Sequence, residues 1–246
     1  MADTPFRVAT LNLEQDHKRW PARRPLIEAE IARLKPDLMA FNEVCLPLQT
    51  AAALRPPGHA LVQQSRVNGL AGVEGEALST RFPILETGNL DYRTRDFVSL
   101  VARVEIDGAP VDVYVTHLFM SRGDDSLRLY QVQQLLAWID SRQGAAASIV
   151  CGDFNAPLTL PSAALMASRF RPTQTGHTAF TPLAGPDGAV SHPYWARMDR
   201  CIDYVWVSER IEIAGSGVCF DKPDPADPTL WPSDHAGVWA DLTVAP

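Results

Sequence analysis

The chain has 246 residues, 46% of them hydrophobic and 21% charged, with a formal net charge of −7. This is the balance of a soluble globular protein with a sizeable core, built as one large domain or two small ones. The negative charge argues against electrostatically driven, non-specific binding to duplex nucleic acid, but not against a nuclease whose acidic residues hold a divalent cation.

In chain order, FRVATLNL (6–13) reads as a strand and PARRPLIEAEIARLK (21–35) as a helix, with Leu26, Ile27, Ile31 and Leu34 on one side. DLMAFNEV (37–44) is a strand again, and further strands are expected at 59–64, 76–80, 84–91, 97–106 and 111–119. Residues 124–142 form a second amphipathic helix on which Leu127, Tyr130, Leu135 and Trp138 recur at helical spacing. SIVCGDF, CIDYVWV, IEIAGSGVCF and GVWADLTV complete the strands, and 171–200 reads as a long loop of the kind that tends to be functional. No apolar run approaches the ~20 residues of a membrane span. MADTPFRVATLNL carries no signal-peptide pattern, so the cytoplasm is the expected compartment. Cys45, Cys151, Cys201 and Cys219 form no C-x-x-C pair and adjoin apolar stretches, which predicts buried reduced thiols rather than disulfides or a zinc site.

VATLNL, a helix, then LMAFNEV is echoed by VYVTHLF, a helix, then IVCGDFN. Strand–helix–strand units make parallel neighbours, so the polar strand ends Asn12, Glu43, His117 and Asp153 are expected on one rim, where ligand sites of α/β sheets lie. Asn155, Asp203, Asp234 and His235 belong to similar strand-end contexts. Asp203 stands among Cys201, Ile202, Tyr204 and Val205, where a carboxylate costs several kcal/mol unless partnered. A histidine is its natural partner, and His235 is the candidate. Several carboxylates with an amide offer the hard oxygen ligands that Mg²⁺ prefers. Phosphoester hydrolysis needs an activated water, charge neutralisation and help for the leaving oxygen, and this set supplies all three.

TLNLE, NEV, THL, GDFN, IDYVWV and SDHAGV, in this order, resemble the signature of the endonuclease/exonuclease/phosphatase superfamily, which includes pancreatic-type deoxyribonuclease, abasic-site endonucleases, neutral sphingomyelinases and inositol-polyphosphate phosphatases. The motifs run over residues 10–238, nearly the whole chain. The resemblance implies one α/β domain, a four-layer α/β/β/α sandwich of two packed mixed sheets flanked by helices. It implies a Mg²⁺-dependent phosphoester hydrolase, with Mn²⁺ as a substitute, acting on nucleic acid, a phospholipid or a small molecule; no protein partner is predicted. Glu43 is then the principal metal ligand, with Asn12 and Asp234 close to the metal or its waters. Asp153 orients or deprotonates the attacking water, and Asn155 holds a phosphate oxygen. His235, paired with Asp203, and His117 contact the phosphate. Arg95 resembles the phosphate-contacting arginine of the deoxyribonuclease branch; a solvated strand-end arginine is the other reading. Cys201 stands where many relatives have a polar residue.

A phosphodiesterase acting by in-line attack of an activated water is expected in preference to a monoesterase of the inositol-phosphate phosphatase type, and a catalytically silent binding protein would lack one of the site residues, all of which are present. A nucleotide-binding protein would need a G-x-G-x-x-G or Walker-type loop, and none is found. HKRWPARRP (17–25) sets basic residues around Trp20, either as an anionic-substrate patch with Trp20 stacking or as a solvated helix start. The same two readings apply to His192, Tyr194 and Trp195.

Overall fold

The computed structural model describes residues 5–14, 19–66, 74–121, 123–180 and 198–245. Its first six-stranded sheet contains β1 (Phe6–Asn12), β2 (Leu38–Cys45), β3 (Ala60–Ser65), β4 (Glu74–Thr80), β13 (Ile211–Cys219) and β14 (Gly237–Val244), ordered β13-β14-β1-β2-β4-β3. The second contains β5 (Ile84–Asp91), β6 (Val98–Ile106), β7 (Ala109–His117), β8 (Ala147–Asp153), β9 (Arg171–Pro172) and β12 (Asp203–Val207), ordered β5-β6-β7-β8-β12-β9. A small ribbon pairs β10 (Ala179–Phe180) with β11 (Met198–Arg200). Helices α1 (Trp20–Leu34) and α2 (Thr50–Leu54) accompany the first sheet, α3 (Ser126–Ser141) and α4 (Pro161–Ala167) the second.

Alternation along each strand assigns its side chains to layers. Leu38 and Ala40 of β2, Val113 and Val115 of β7, and Ile149 and Cys151 of β8 meet in the core between the sheets. Met39 and Phe41 turn outward to Ile27 and Ile31 of α1, whereas Tyr114 and Val150 turn outward to Val132 and Leu135 of α3. Both faces of the central strands are therefore buried, which explains their nearly continuous apolar runs. The result is the anticipated α/β/β/α sandwich. β1 pairs with β2 and β7 with β8 in parallel, so the two echoed units deliver their strand ends to the same edge.

Several local readings are corrected. The inward stripe of α1 is Trp20, Arg23, Ile27, Ile31 and Leu34, with Leu26 only half-buried, because the Arg23 side chain takes the inward place. On α3 the buried face is Arg128, Gln131, Val132, Leu135 and Leu136; Leu127 and Trp138 are partly buried and Tyr130 is exposed. Arg128 and Gln131 go inward because they bond the backbone that follows β7. Helices α2 and α4 were not anticipated: they are too short to display an apolar period. Within 171–200 the chain forms β9, β10 and β11; residues 181–197, with His192, Tyr194 and Trp195, lie outside the described residues. All four cysteines are free thiols, Cys201 partly exposed and the others buried. Among the described residues no helix is long and apolar enough to cross a membrane.

Candidate active site

The rim is assembled by strand register. Asn12 is level with Asn42 across β1 and β2, while His117, Asp153 and Asp203 form one row across β7, β8 and β12. Asn12 bridges the sheets: its Nδ2 donates to Glu43 Oε1 at 3.0 Å and to Asp153 Oδ2 at 3.1 Å. Asn42 makes a second bridge, donating to the Thr116 carbonyl at 3.0 Å and accepting from the Asp153 N–H at 2.9 Å. Glu43 reaches the rim from an irregularity in the β2–β4 ladder, at a left-handed φ of 54°. Such bulges re-aim a side chain beside active sites.

His235 Nδ1 lies 2.9 Å from Asp203 Oδ2, and its Nε2 lies 3.8 Å from Asp153 Oδ2. Thr178 holds this corner: its hydroxyl accepts the Ile202 and Asp203 N–H groups and its carbonyl accepts that of Ala236. Ser233 anchors the turn by donating to the Asn12 carbonyl at 2.6 Å and accepting the His235 N–H at 3.2 Å. Burial opposes a charged His235, but Asp203, Asp153 and Asp234 together raise its pKa well above the ordinary value. His117 is the reverse case: burial, Arg66 and His235 push its pKa well below the ordinary range. Asp234, half-buried, lies 3.3 Å from the Ser233 hydroxyl and acts on Glu43 through its charge.

The acids outnumber their counter-charges. Glu43, Glu74, Glu76, Asp153, Asp203 and Asp234 surround the rim, against Arg66 and protonated His235. Burial, with Asp234 and Glu74, pushes Glu43 up to about 8, and burial with Asp203 pushes Asp153 up to about 7. Burial likewise pushes Glu76 up to about 8, and its Oε1 has no hydrogen-bond partner. Carboxylates this short of compensation hold protons or a cation. Two groups, Glu43–Glu74–His117 and Asp153–Asp203–His235, each bring ligand atoms within 4.8 Å of one another and fit a divalent metal.

The sequence profile described as Endonuclease/Exonuclease/phosphatase family matches residues 9–235. The chain belongs to the endonuclease/exonuclease/phosphatase family. Nocturnin of Xenopus laevis is 25% identical over 256 residues, covering 92% of this chain and 65% of that protein. The human nocturnin catalytic domain, solved with a bound sulfate anion, matches with a TM-score of 0.71 at 25% identity, over 99% of this chain and 97% of that one. A mannosyl-6-phosphatase of Bacteroides thetaiotaomicron matches in fold, with a TM-score of 0.74 at 19% identity over 97% of this chain and 99% of that one. The chain spans 65% or less of the length of the curated relatives it matches.

Along this rim, Asn12, Glu43, His117, Asp153, Asn155, Asp203 and His235 are joined by the contacts above and by two from Asn155. Asn155 Nδ2 donates to the Leu118 carbonyl at 3.0 Å and lies 3.2 Å from His117 Nε2, so its amide is engaged within the rim. Arg95 is exposed in the turn between β5 and β6, not at the opening of a strand, with its guanidinium 5.6 Å from the Phe119 ring centroid. The arginine deepest in the site is instead Arg66, 3.0 Å from His117 Nδ1 and 2.5 Å from Glu74 Oε1. Sequence reading missed Arg66, Asn42, Glu74 and Glu76. Glu74 and Glu76 stand two apart in a wholly buried strand, but its sequence EGEALST is mostly small or polar, so neither they nor Arg66 and Asn42 carried the mark that Asp203 has among apolar neighbours.

The basic patch divides: Arg19 and Arg24 are exposed, as a solvated helix start requires, whereas Trp20 and Arg23 turn inward. Trp20 is buried, and Arg23 is fully buried, donating to the Leu13 carbonyl at 3.1 Å and the Pro232 carbonyl at 2.8 Å, 3.4 Å from Glu14. Arg23 thus ties the loop after Asn12 to the loop before Asp234. Arg19 pairs with Asp227 and Arg24 with Glu28, while His17 and Lys18 lie outside the described residues.

Proposed function

We propose that the chain is a Mg²⁺-dependent phosphoester hydrolase, a phosphodiesterase in preference to a monoesterase, acting by in-line attack of an activated water. The observation that carries this reading is an unbroken path from Glu43 through Asn12, Asp153 and His235 to Asp203, with contacts between 2.9 and 3.8 Å. Glu43 would hold the cation, with Asn12 and Asp234 beside it; Mn²⁺ suits the same oxygen-rich set. A cation there would supply neutralisation of charge on the non-bridging oxygens of the phosphate.

Asp153 orients or deprotonates the attacking water, its carboxylate fixed by Asn12 and by the Asn155 N–H. Asp203 accepts a hydrogen bond from His235 Nδ1–H, so Nε2–H faces the rim as a donor to a phosphate oxygen. Asp203, Asp153 and Asp234 raise the His235 pKa against burial and so favour its cationic form, opposite the charge that develops in the transition state. His117 meets the same space as an uncharged ring. Asn155 acts by holding His117 and the Leu118 carbonyl. The sulfate bound by the human nocturnin domain, a tetrahedral oxyanion, supports a phosphoryl ligand.

The test is hydrolysis of bis(p-nitrophenyl) phosphate. EDTA should abolish it, and Mg²⁺ or Mn²⁺ should restore it; metal-independent turnover defeats the mechanism. A panel of single-stranded and duplex DNA, RNA, sphingomyelin, a phosphoinositide and simple mono- and diesters ranks the substrates.

A further inference from the structure

Beside His117 the chain presents a shelf that the hydrolytic path does not use. Phe119 is half-buried two residues beyond His117, and Met120 next to it is 58% exposed. Phe119 meets Phe97 edge-to-face at 5.9 Å, and Phe97 meets His117 in the same way at 5.1 Å. The exposed Arg95 guanidinium lies over Phe119 and makes no ion pair among the described residues, although the chain is strongly acidic.

Buried polar side chains hold this surface in place. Gln131, 0% exposed, accepts the Phe119 N–H at 2.9 Å and donates to the Thr94 hydroxyl at 3.2 Å, pinning the loop after β7 to the turn that carries Arg95. Arg128, 2% exposed, donates to the carbonyls of Phe119 and Ser121. Arg93, Arg95 and Asp96 all adopt left-handed φ values of 52°, 52° and 64°. Strained non-glycine backbone of this kind persists where its surroundings over-determine it, and it clusters at ligand clamps. Surface aromatics need no such fixing unless their position matters.

We infer that Phe119 and Arg95 form a stacking platform for a planar ring carried by the substrate, and that the substrate is a nucleoside phosphoester. This rests on the phosphoesterase reading of the adjacent rim. A guanidinium held over an aromatic ring suits a nucleobase, which stacks on the guanidinium face turned away from Phe119 and whose phosphate Arg95 reaches with its edge. With Phe119 half-buried, Met120 is the one exposed large apolar side chain of this shelf, which offers little to an acyl chain.

The experiment compares the p-nitrophenyl 5′-phosphodiesters of thymidine and of 1,2-dideoxyribose, which share leaving group, sugar and charge. The wild type should favour the base-bearing ester by about tenfold or more in kcat/KM, chiefly through KM. Phe119→Ala and Arg95→Ala should each bring that ratio towards one, and Phe119→Tyr should preserve it. An equal rate on both esters, or an unchanged ratio in Phe119→Ala, overturns the platform. Faster turnover of dihexanoylphosphatidylcholine than of the thymidine ester overturns the nucleoside assignment. Calorimetric binding of thymidine 5′-monophosphate against 1,2-dideoxyribose 5-phosphate separates the two readings. Base-dependent binding without turnover of either ester upholds the platform and removes the hydrolase reading; equal binding removes the platform.

Discussion

His235 and His117 stand on one rim, and their pKa values move in opposite directions. Asp203, Asp153 and Asp234 raise that of His235 against the opposing effect of burial, whereas burial, Arg66 and His235 lower that of His117 although carboxylate oxygens of Glu43, Glu76 and Asp153 lie within 3.6–4.0 Å of its ring. Proton transfer or donation by a positioned side chain contributes about 10²–10⁴-fold. His235→Ala should therefore lower kcat on bis(p-nitrophenyl) phosphate by about that factor while the circular-dichroism spectrum and Tm stay near wild type. Retention of full activity would remove His235 from the mechanism. Arg23 acts at a distance, through the two loops it joins. Truncating a buried ion-paired residue costs about 3 kcal/mol, a fall in Tm of roughly 6–12 °C for a chain of this size. Arg23→Ala should show that loss together with weaker Mg²⁺ binding, because Asn12 and Asp234 adjoin the loops it released. Thermal melts and Mg²⁺ titrations of activity check both halves.

At the scale of elements, the site depends on how closely the two parallel units approach. Gly152 precedes Asp153 on β8 with a φ of 130°, and a Cβ there would stand 2.0 Å from the Thr116 carbonyl oxygen and 2.9 Å from Asn42 Oδ1. The backbone of β7 and the inter-sheet bridge of Asn42 occupy the space that any side chain would need. Gly152→Ala should cost at least about 3 kcal/mol, from a φ that L-residues rarely adopt. It should also reduce kcat by about tenfold or more by displacing Asp153. Chemical denaturation and steady-state kinetics measure the two effects; a variant with wild-type stability would refute the packing argument.

For the whole molecule, the acid-rich rim makes stability depend on pH and on metal. Glu43 and Asp153, pushed up to about 8 and about 7, bind protons in the folded chain that they release in the unfolded one. Where the folded state holds more protons, stability falls as pH rises. The EDTA-treated protein should accordingly lose Tm between about pH 5 and about pH 8. Mg²⁺ replaces protons, so it should raise Tm more at the upper end of this range than at the lower. A metal-dependent rise in Tm that is equal at both ends would contradict this account.

The sequence by itself determined the layers and most of the site. Apolar alternation marked the strands, and the echoed strand–helix–strand units placed Asn12, Glu43, His117 and Asp153 on one edge. Asp203 declared a partner because a charge in an apolar strand is costly. These are local signals: each follows from a residue and its chain neighbours. Tertiary structure alone decided what depends on residues distant in sequence. Arg66 approaches His117 across 51 positions, and Arg23 reaches Pro232 across 209. Trp20 and Arg23 read as solvent-facing until α1 was laid on its sheet. The platform of Phe119 and Arg95 exists only because Gln131 joins a turn and a loop that the sequence separates. Hydrogen bonds and ion pairs between distant segments leave no period in a sequence, so the residues that fix this site in place became visible only in the fold.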